Sequence, residues 1–228
     1  MDEDILLIDK PAGWTSFDVV AKIRGMIKAR YRARDEKPTK RQLKVGHAGT
    51  LDPFATGLLI VLLGDATKKA GDFLKLDKLY EATIHLGVTS TTGDPEGELT
   101  PVSDTIPTIE RVQEALNGLT GEITQVPPAY SAIKIGGRRA YDLARQGKEV
   151  EIPSRQVTIH SIELLEYNYP EVKIRTHVSS GTYIRTLAED IGKALSTGAY
   201  CSELRRTQIG EWRIENATTL EAPKLDFS

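Results

Sequence analysis

Apolar positions along the chain change their period several times, and each change marks an element. Ile5 to Ile8 is a short apolar run that reads as a strand, closed by the turn Lys10-Pro11-Ala12-Gly13-Trp14. Thr15-Ser16-Phe17-Asp18 has the form of a capping box, and Val19, Ile23 and Ile27 then recur at helical spacing. From Arg30 to Lys44 the apolar period disappears and Pro38 intervenes, so an exposed loop is expected. Leu58 to Leu63 is a continuous aliphatic run, the pattern of a strand buried on both faces. Gly64 to Lys68 leads into a helix through Leu74. From Tyr80 to Leu86 the residues alternate, with Tyr80, Ala82, Ile84 and Leu86 on one face. Thr89 to Pro101 reads as loop, and Thr108 can cap a helix carrying Ile109, Val112, Leu116 and Leu119, ended near Gly118 or Gly121. Strands are expected at 157–165 and 172–178. A helix follows with the apolar stripe Ile184, Leu187, Ala188, Ile191 and Leu195, and 199–214 holds a strand bearing Arg205 and Arg206. Strands and helices alternate irregularly rather than as βαβ units. The expected fold is therefore α+β, a mixed, largely antiparallel central sheet flanked by helices.

Composition narrows the class. With 228 residues, 39% hydrophobic and 27% charged, the chain has the makeup of an ordinary globular protein long enough to bury a core. A single cysteine, Cys201, rules out an intrachain disulfide framework, and with only four histidines it argues against a structural zinc site. Cys201 is read as a small buried apolar residue. The acidic start Met1-Asp2-Glu3-Asp4 is unlike a secretion signal and no apolar run reaches membrane-spanning length, so the cytoplasm is expected.

The net charge of −2 is close to balanced, but its distribution is not. Arg30, Arg32, Arg34, Lys37, Lys40, Arg41 and Lys44 cluster against only Asp35 and Glu36, whereas between Lys78 and Lys134 the only lysine or arginine is Arg111. A polarised surface with one basic face follows, and a contact with phosphates or a merely solubilising loop both fit that segment.

The densest chemistry lies in Gly46-His47-Ala48-Gly49-Thr50-Leu51-Asp52-Pro53-Phe54-Ala55-Thr56-Gly57. Glycines here permit backbone shapes closed to other residues, and Pro53 biases Asp52 toward an extended conformation. Asp52 should sit on a rigid, irregular loop propped against the aliphatic strand that follows. A second distinctive stretch, Gln125 to Pro153, frames Tyr130, Lys134, Arg138, Arg139 and Tyr141 with prolines and glycines. Cations suit phosphates and tyrosines suit bases or sugars, so this stretch fits a loop closing over a polyanion. Arg185 stands in the first turn of its helix, where the helix dipole does not favour a cation, which points to an anion elsewhere that holds it.

Four segments in order resemble the motifs of the TruB family, the bacterial tRNA pseudouridine(55) synthases. They are Asp9-Lys10-Pro11-Ala12-Gly13-Trp14-Thr15-Ser16, the Asp52 string, Pro127-Pro128-Ala129-Tyr130-Ser131-Ala132-Ile133-Lys134, and Gly181-Thr182-Tyr183-Ile184-Arg185-Thr186-Leu187. The resemblance implies one pseudouridine synthase catalytic domain over 1–228 with a catalytic cleft, a thumb-like insertion at 125–153, a basic loop at 30–44 and no PUA domain at the C-terminus. It implies that Asp52 is the essential aspartate, Tyr80 the active-site tyrosine, and Arg185 the arginine that pairs with the aspartate. His47 would fill the space left by the extruded base. Lys68, Lys134, Tyr130, Tyr183, Arg138, Arg139 and Arg205 are assigned to RNA contacts. The reaction needs neither metal nor redox cofactor, and none is expected. The expected partner is tRNA through its T-arm stem-loop, with no membrane partner, and the expected state is a monomer. Two alternatives stay open: a catalytically silent tRNA-binding or tRNA-folding protein on the same scaffold, and a guide-RNA-dependent pseudouridine synthase.

Overall fold

A computed structural model of the chain describes residues 4–128, 134–135, 138–139 and 152–221. In chain order the elements are β1 (Ile5–Lys10), α1 (Ser16–Ala33), β2 (Val45–Ala48), β3 (Thr56–Leu63), a 3-10 helix (Gly64–Lys69) and α2 (Ala70–Leu74). Next come β4 (Lys78–Leu86), β5 (Val88–Ser90), β6 (Leu99–Pro101), α3 (Ile109–Gly118), β7 (Gly121–Gln125), β8 (Lys134–Ile135) and β9 (Arg138–Arg139). The series closes with β10 (Arg155–Asn168), β11 (Glu171–Val178), α4 (Ile184–Leu195), β12 (Ala199–Ile209), β13 (Trp212–Arg213), a 3-10 helix (Ile214–Asn216) and β14 (Thr218–Thr219). The fold is α+β, and its sheet is mixed and largely antiparallel, as the irregular order of elements suggests.

The residues form two compact units, 1–80 with 205–228, and 81–204. In the first, the strand order is β14-β1-β3-β12, with β2 paired to β3 and β13 to β12. β1 and β2 both run antiparallel to β3, while the C-terminal half of β12 runs parallel to it, Arg205 opposite Thr56 and Arg206 opposite Gly57. The aliphatic run explains the centrality of β3, because both of its faces are buried. Leu59, Val61 and Leu63 pack with Leu6, Ile8, Val45 and the α1 stripe Val19, Val20, Ile23 and Ile27. Leu58, Ile60 and Leu62 pack with Leu7, Ala48 and Ile209 on the opposite side.

Helix α1 begins where the capping box predicts: Asp18 N donates to Thr15 Oγ1 at 3.0 Å, and Thr15 N donates to Asp18 Oδ2 at 2.8 Å. It ends later than expected. Residues 30–33 are helical rather than loop, because the apolar stripe is extended by Met26 and Tyr31, which pack partly buried against the same core. The remaining basic residues lie on turns and irregular backbone, mostly exposed.

In the second unit the order is β12-β4-β11-β10-β7, with β10 antiparallel to both β11 and β7. Thr108 caps α3, accepting from Arg111 N. The stripe of α4 is buried as its spacing predicts, Leu187, Ala188 and Ile191 completely so. The expected loop at 89–101 contains the short antiparallel pair β5–β6, whose strands are too brief to carry a readable alternation. Cys201 is buried and reduced, with its thiol 3.3 Å from the Glu203 carbonyl.

Candidate active site

Asp52 lies on the irregular segment between β2 and β3, and its carbonyl accepts from Ala55 N at 3.1 Å, a tight turn with Pro53 at its second position. Two buried cations fix this segment through its carbonyl oxygens. Lys10, fully buried, donates to the carbonyls of Pro11, Trp14 and Pro53 at 2.9, 2.7 and 3.3 Å. Arg206, 1% exposed, donates through Nε to Leu58 O at 2.8 Å, and through its two Nη atoms to Gly49 O at 3.0 Å and Thr50 O at 3.4 Å. Ser16 adds a third tie: it accepts from Leu51 N at 2.9 Å and donates to Leu51 O at 3.2 Å. The result is a carboxylate carried by backbone that is held on both sides. Gly57 makes the geometry possible, since its φ of +101° and the closeness of the Arg206 backbone leave no room for a Cβ.

His47, on β2, packs edge-on against Phe17 with ring centroids 5.2 Å apart. Tyr80 is buried on β4, 8% exposed. Two residues before it, Lys78 is buried and donates to the carbonyls of Leu74 and Leu76. Burial, reinforced by Arg206, lowers the Lys78 amine to a pKa of about 8. Lys68 is exposed and pairs with Asp65 at 2.9 Å, on the same carboxylate that Arg41 holds at 2.7 Å. Arg205 forms a two-pronged pair with Asp9, at 3.1 and 2.8 Å, inside the first unit.

Arg185 belongs to the second unit. Its side chain and that of Asp94 are each 4% exposed, and they meet at 3.0 Å; the same Nη1 donates to Thr92 O at 2.8 Å. Asp94 is one anion that holds Arg185 at this position in its helix. Its carboxylate also accepts from Thr92 Oγ1 at 2.6 Å and Glu96 N at 3.0 Å, so the pair is embedded in a satisfied polar network. Beside it opens a cleft of about 460 Å³ bounded by Thr92, Val126, Pro127, Thr186, Glu189 and Lys193. Tyr183 precedes the helix, its N–H donating to Gln125 Oε1 at 3.0 Å, with the Arg155 guanidinium 4.6 Å above its ring. Lys134, Arg138 and Arg139 fall on the β8–β9 pair. Tyr130 lies outside the described residues, as do the side chains of those three cations.

The structure thus places His47, Asp52, Lys68, Tyr80 and Arg205 in the first unit, and Tyr183 and Arg185 in the second. Three residues of these networks take structural roles that the motifs do not assign. Lys10 reads as part of a turn, although Pro53 is among its partners. Arg206 shares a strand face with buried Leu204, a period-two signal of burial. Asp94 closes the hydroxyl-rich turn Ser90-Thr91-Thr92-Gly93-Asp94, the composition of a side-chain-capped loop.

Comparison with known proteins places the chain among related sequences and structures. The model of the TruB family pseudouridylate synthase N-terminal domain matches residues 37–184, and that of the tRNA pseudouridylate synthase B C-terminal domain matches 185–224. The chain is 47% identical over 220 residues to a tRNA pseudouridine synthase B of Phocaeicola vulgatus, covering 96% of this chain and 91% of that one. It is 46% identical to the protein of that name from Aromatoleum aromaticum, over 96% of this chain and 67% of the other. Among solved structures it resembles a chain of a Cbf5-Nop10-Gar1 complex, with a TM-score of 0.69 and 31% identity, covering 96% of this chain and 52% of that one. A similar match is to an H/ACA RNP bound to a substrate RNA containing 2'-deoxyuridine, with a TM-score of 0.67 and 29% identity; the chain spans about half the length of these solved chains. With the Asp52 string, the order of its motifs and a family model matching most of its length, this chain belongs to the TruB family of pseudouridylate synthases.

Proposed function

We infer that the chain isomerises a uridine of tRNA to pseudouridine, acting on the T-loop uridine at position 55. The observation that carries this reading is the Asp52 loop, clamped by Lys10 and Arg206 in a chain whose relatives at 46–48% identity are named tRNA pseudouridine synthase B. The reaction breaks the bond from C1′ to N1 and forms one from C1′ to C5, while the hydrogen on C5 is lost and N1 gains one. Atoms and electrons balance without an added reductant or oxidant. A carboxylate that must act as a nucleophile has to be ionised, and backbone held on both sides keeps it aimed. Arg185 provides a cation that does not deprotonate, already steadied by Asp94. Tyr80 stacks on uracil and its phenol is suited to relay a proton. The target base leaves its stack at a cost of about a few kcal/mol, which His47 offsets by filling the gap.

The names of the relatives favour a stand-alone enzyme over a guide-dependent one, and the presence of Asp52 and Arg185 favours an enzyme over a silent binder. The test is to map pseudouridine in tRNA incubated with the protein alone and with Asp52→Asn. Conversion at the T-loop uridine by the wild type, lost in the variant, is expected. Conversion that survives the substitution removes Asp52 from this role, and no conversion by the wild type removes the reading.

A further inference from the structure

Phe17 is the large apolar residue that the logic of α1 does not account for. The face of this helix toward the core carries Ser16, Val19, Val20, Ile23 and Ile27, all buried, while Phe17 in the first turn is 59% exposed. It is nevertheless rigidly placed. The neighbouring Ser16 exchanges two hydrogen bonds with Leu51, the residue before Asp52, and the capping box fixes the backbone on either side. One flank of the helix, marked by Phe17 and Arg24, runs along β2. Arg24 donates to the carbonyls of Leu43 and Val45 at 3.2 Å each, and two turns earlier Phe17 meets His47 with its ring at 88° to the imidazole. An open aromatic ring is thus mounted at the end of β2 where the Asp52 loop begins.

We propose that Phe17 is an RNA-contacting residue, its open ring stacking on an unpaired nucleotide of the loop that carries the target uridine. Every base offers a π-face, and an aromatic already fixed in place loses little freedom on stacking. The perpendicular contact with His47 leaves the two rings as adjoining walls, His47 toward the vacated stack and Phe17 toward a neighbouring base. This inference rests on the proposed function, and its test separates the two.

Binding and conversion of a T-arm stem-loop are measured for the wild type, Phe17→Ala, Phe17→Leu and Phe17→Tyr, with thermal midpoints taken alongside. Phe17→Ala should weaken hairpin binding and raise KM about tenfold, the usual effect of losing one base-stacking ring, with turnover at saturating RNA retained. Phe17→Leu should resemble Phe17→Ala, and Phe17→Tyr should resemble the wild type. In a series of hairpins each lacking one loop base, a single position should erase the difference between wild type and Phe17→Ala. Unchanged affinity in Phe17→Ala, full retention in Phe17→Leu, or an equal loss on every abasic hairpin would each overturn the proposal while leaving the enzyme reading intact. A wild type that neither binds nor converts the hairpin takes both down.

Discussion

Glu189 stands one turn after Arg185 on α4, and burial pushes its carboxyl above the ordinary glutamate value; Lys193 opposes that rise, Asp190 adds to it, and Arg185 opposes it. A carboxyl that holds its proton more tightly in the folded state opposes folding once it ionises. Its contribution is fully favourable below the unfolded value, ordinarily 4.5, and is lost as pH rises through the folded one. Glu189→Gln should therefore raise the thermal midpoint at neutral pH, and the gain should vanish as melts are repeated below pH 4.5. Arg206 poses the opposite case, a buried cation whose donors all end on carbonyls around the Asp52 loop. Arg206→Met should leave those acceptors unsatisfied, costing about 2–4 kcal/mol in urea unfolding and most of the activity. The motif string around Asp52 is legible from sequence because its chemistry is local. Asp94 and Arg206 are not, since their partners lie roughly ninety and 150 residues away in the chain.

Among the elements, β3 was the most legible, because an unbroken aliphatic run has few solutions other than burial on both faces. β2 is hidden: its Val45-Gly46-His47-Ala48 lacks alternation and has one strong strand former, Val45, so its pairing with β3 decides its conformation. The parallel pairing of β3 with β12 depends on a glycine. A Cβ at Gly57 would stand within van der Waals overlap of the Arg206 carbonyl oxygen and 2.8 Å from its amide nitrogen, at a φ that side chains rarely adopt. Gly57→Ala should cost more than about 3 kcal/mol in denaturant unfolding, and pseudouridine formation should fall with it because the same two strands frame the Asp52 loop. The end of α1 is hard to read for a related reason: its last turn is polar in sequence and is kept helical by the packing of Met26 and Tyr31.

At the scale of the molecule, a net charge of −2 conceals a basic segment that the structure leaves largely in solvent. Arg32, Arg34, Lys37, Lys40, Arg41 and Lys44 are exposed, and among the described residues Arg41 is tied to Asp65. Replacing Arg30 and these six cations with glutamine should weaken tRNA binding by roughly tenfold or more at low salt and flatten the dependence of affinity on salt, as fewer counterions are released. Unchanged affinity and slope would mark the segment as merely solubilising. No described helix is long and apolar enough to cross a membrane.

The first unit is interrupted: its chain leaves at residue 80 and returns only at 205. On a translating ribosome, the Asp52 loop therefore emerges well before the guanidinium that grips Gly49, Thr50 and Leu58 has been made. Until residue 206 clears the exit tunnel, the ties from Lys10 and Ser16 hold the Asp52 segment without it. A fragment that stops short of residue 206 should therefore carry the Asp52 loop without its guanidinium clamp and form little pseudouridine.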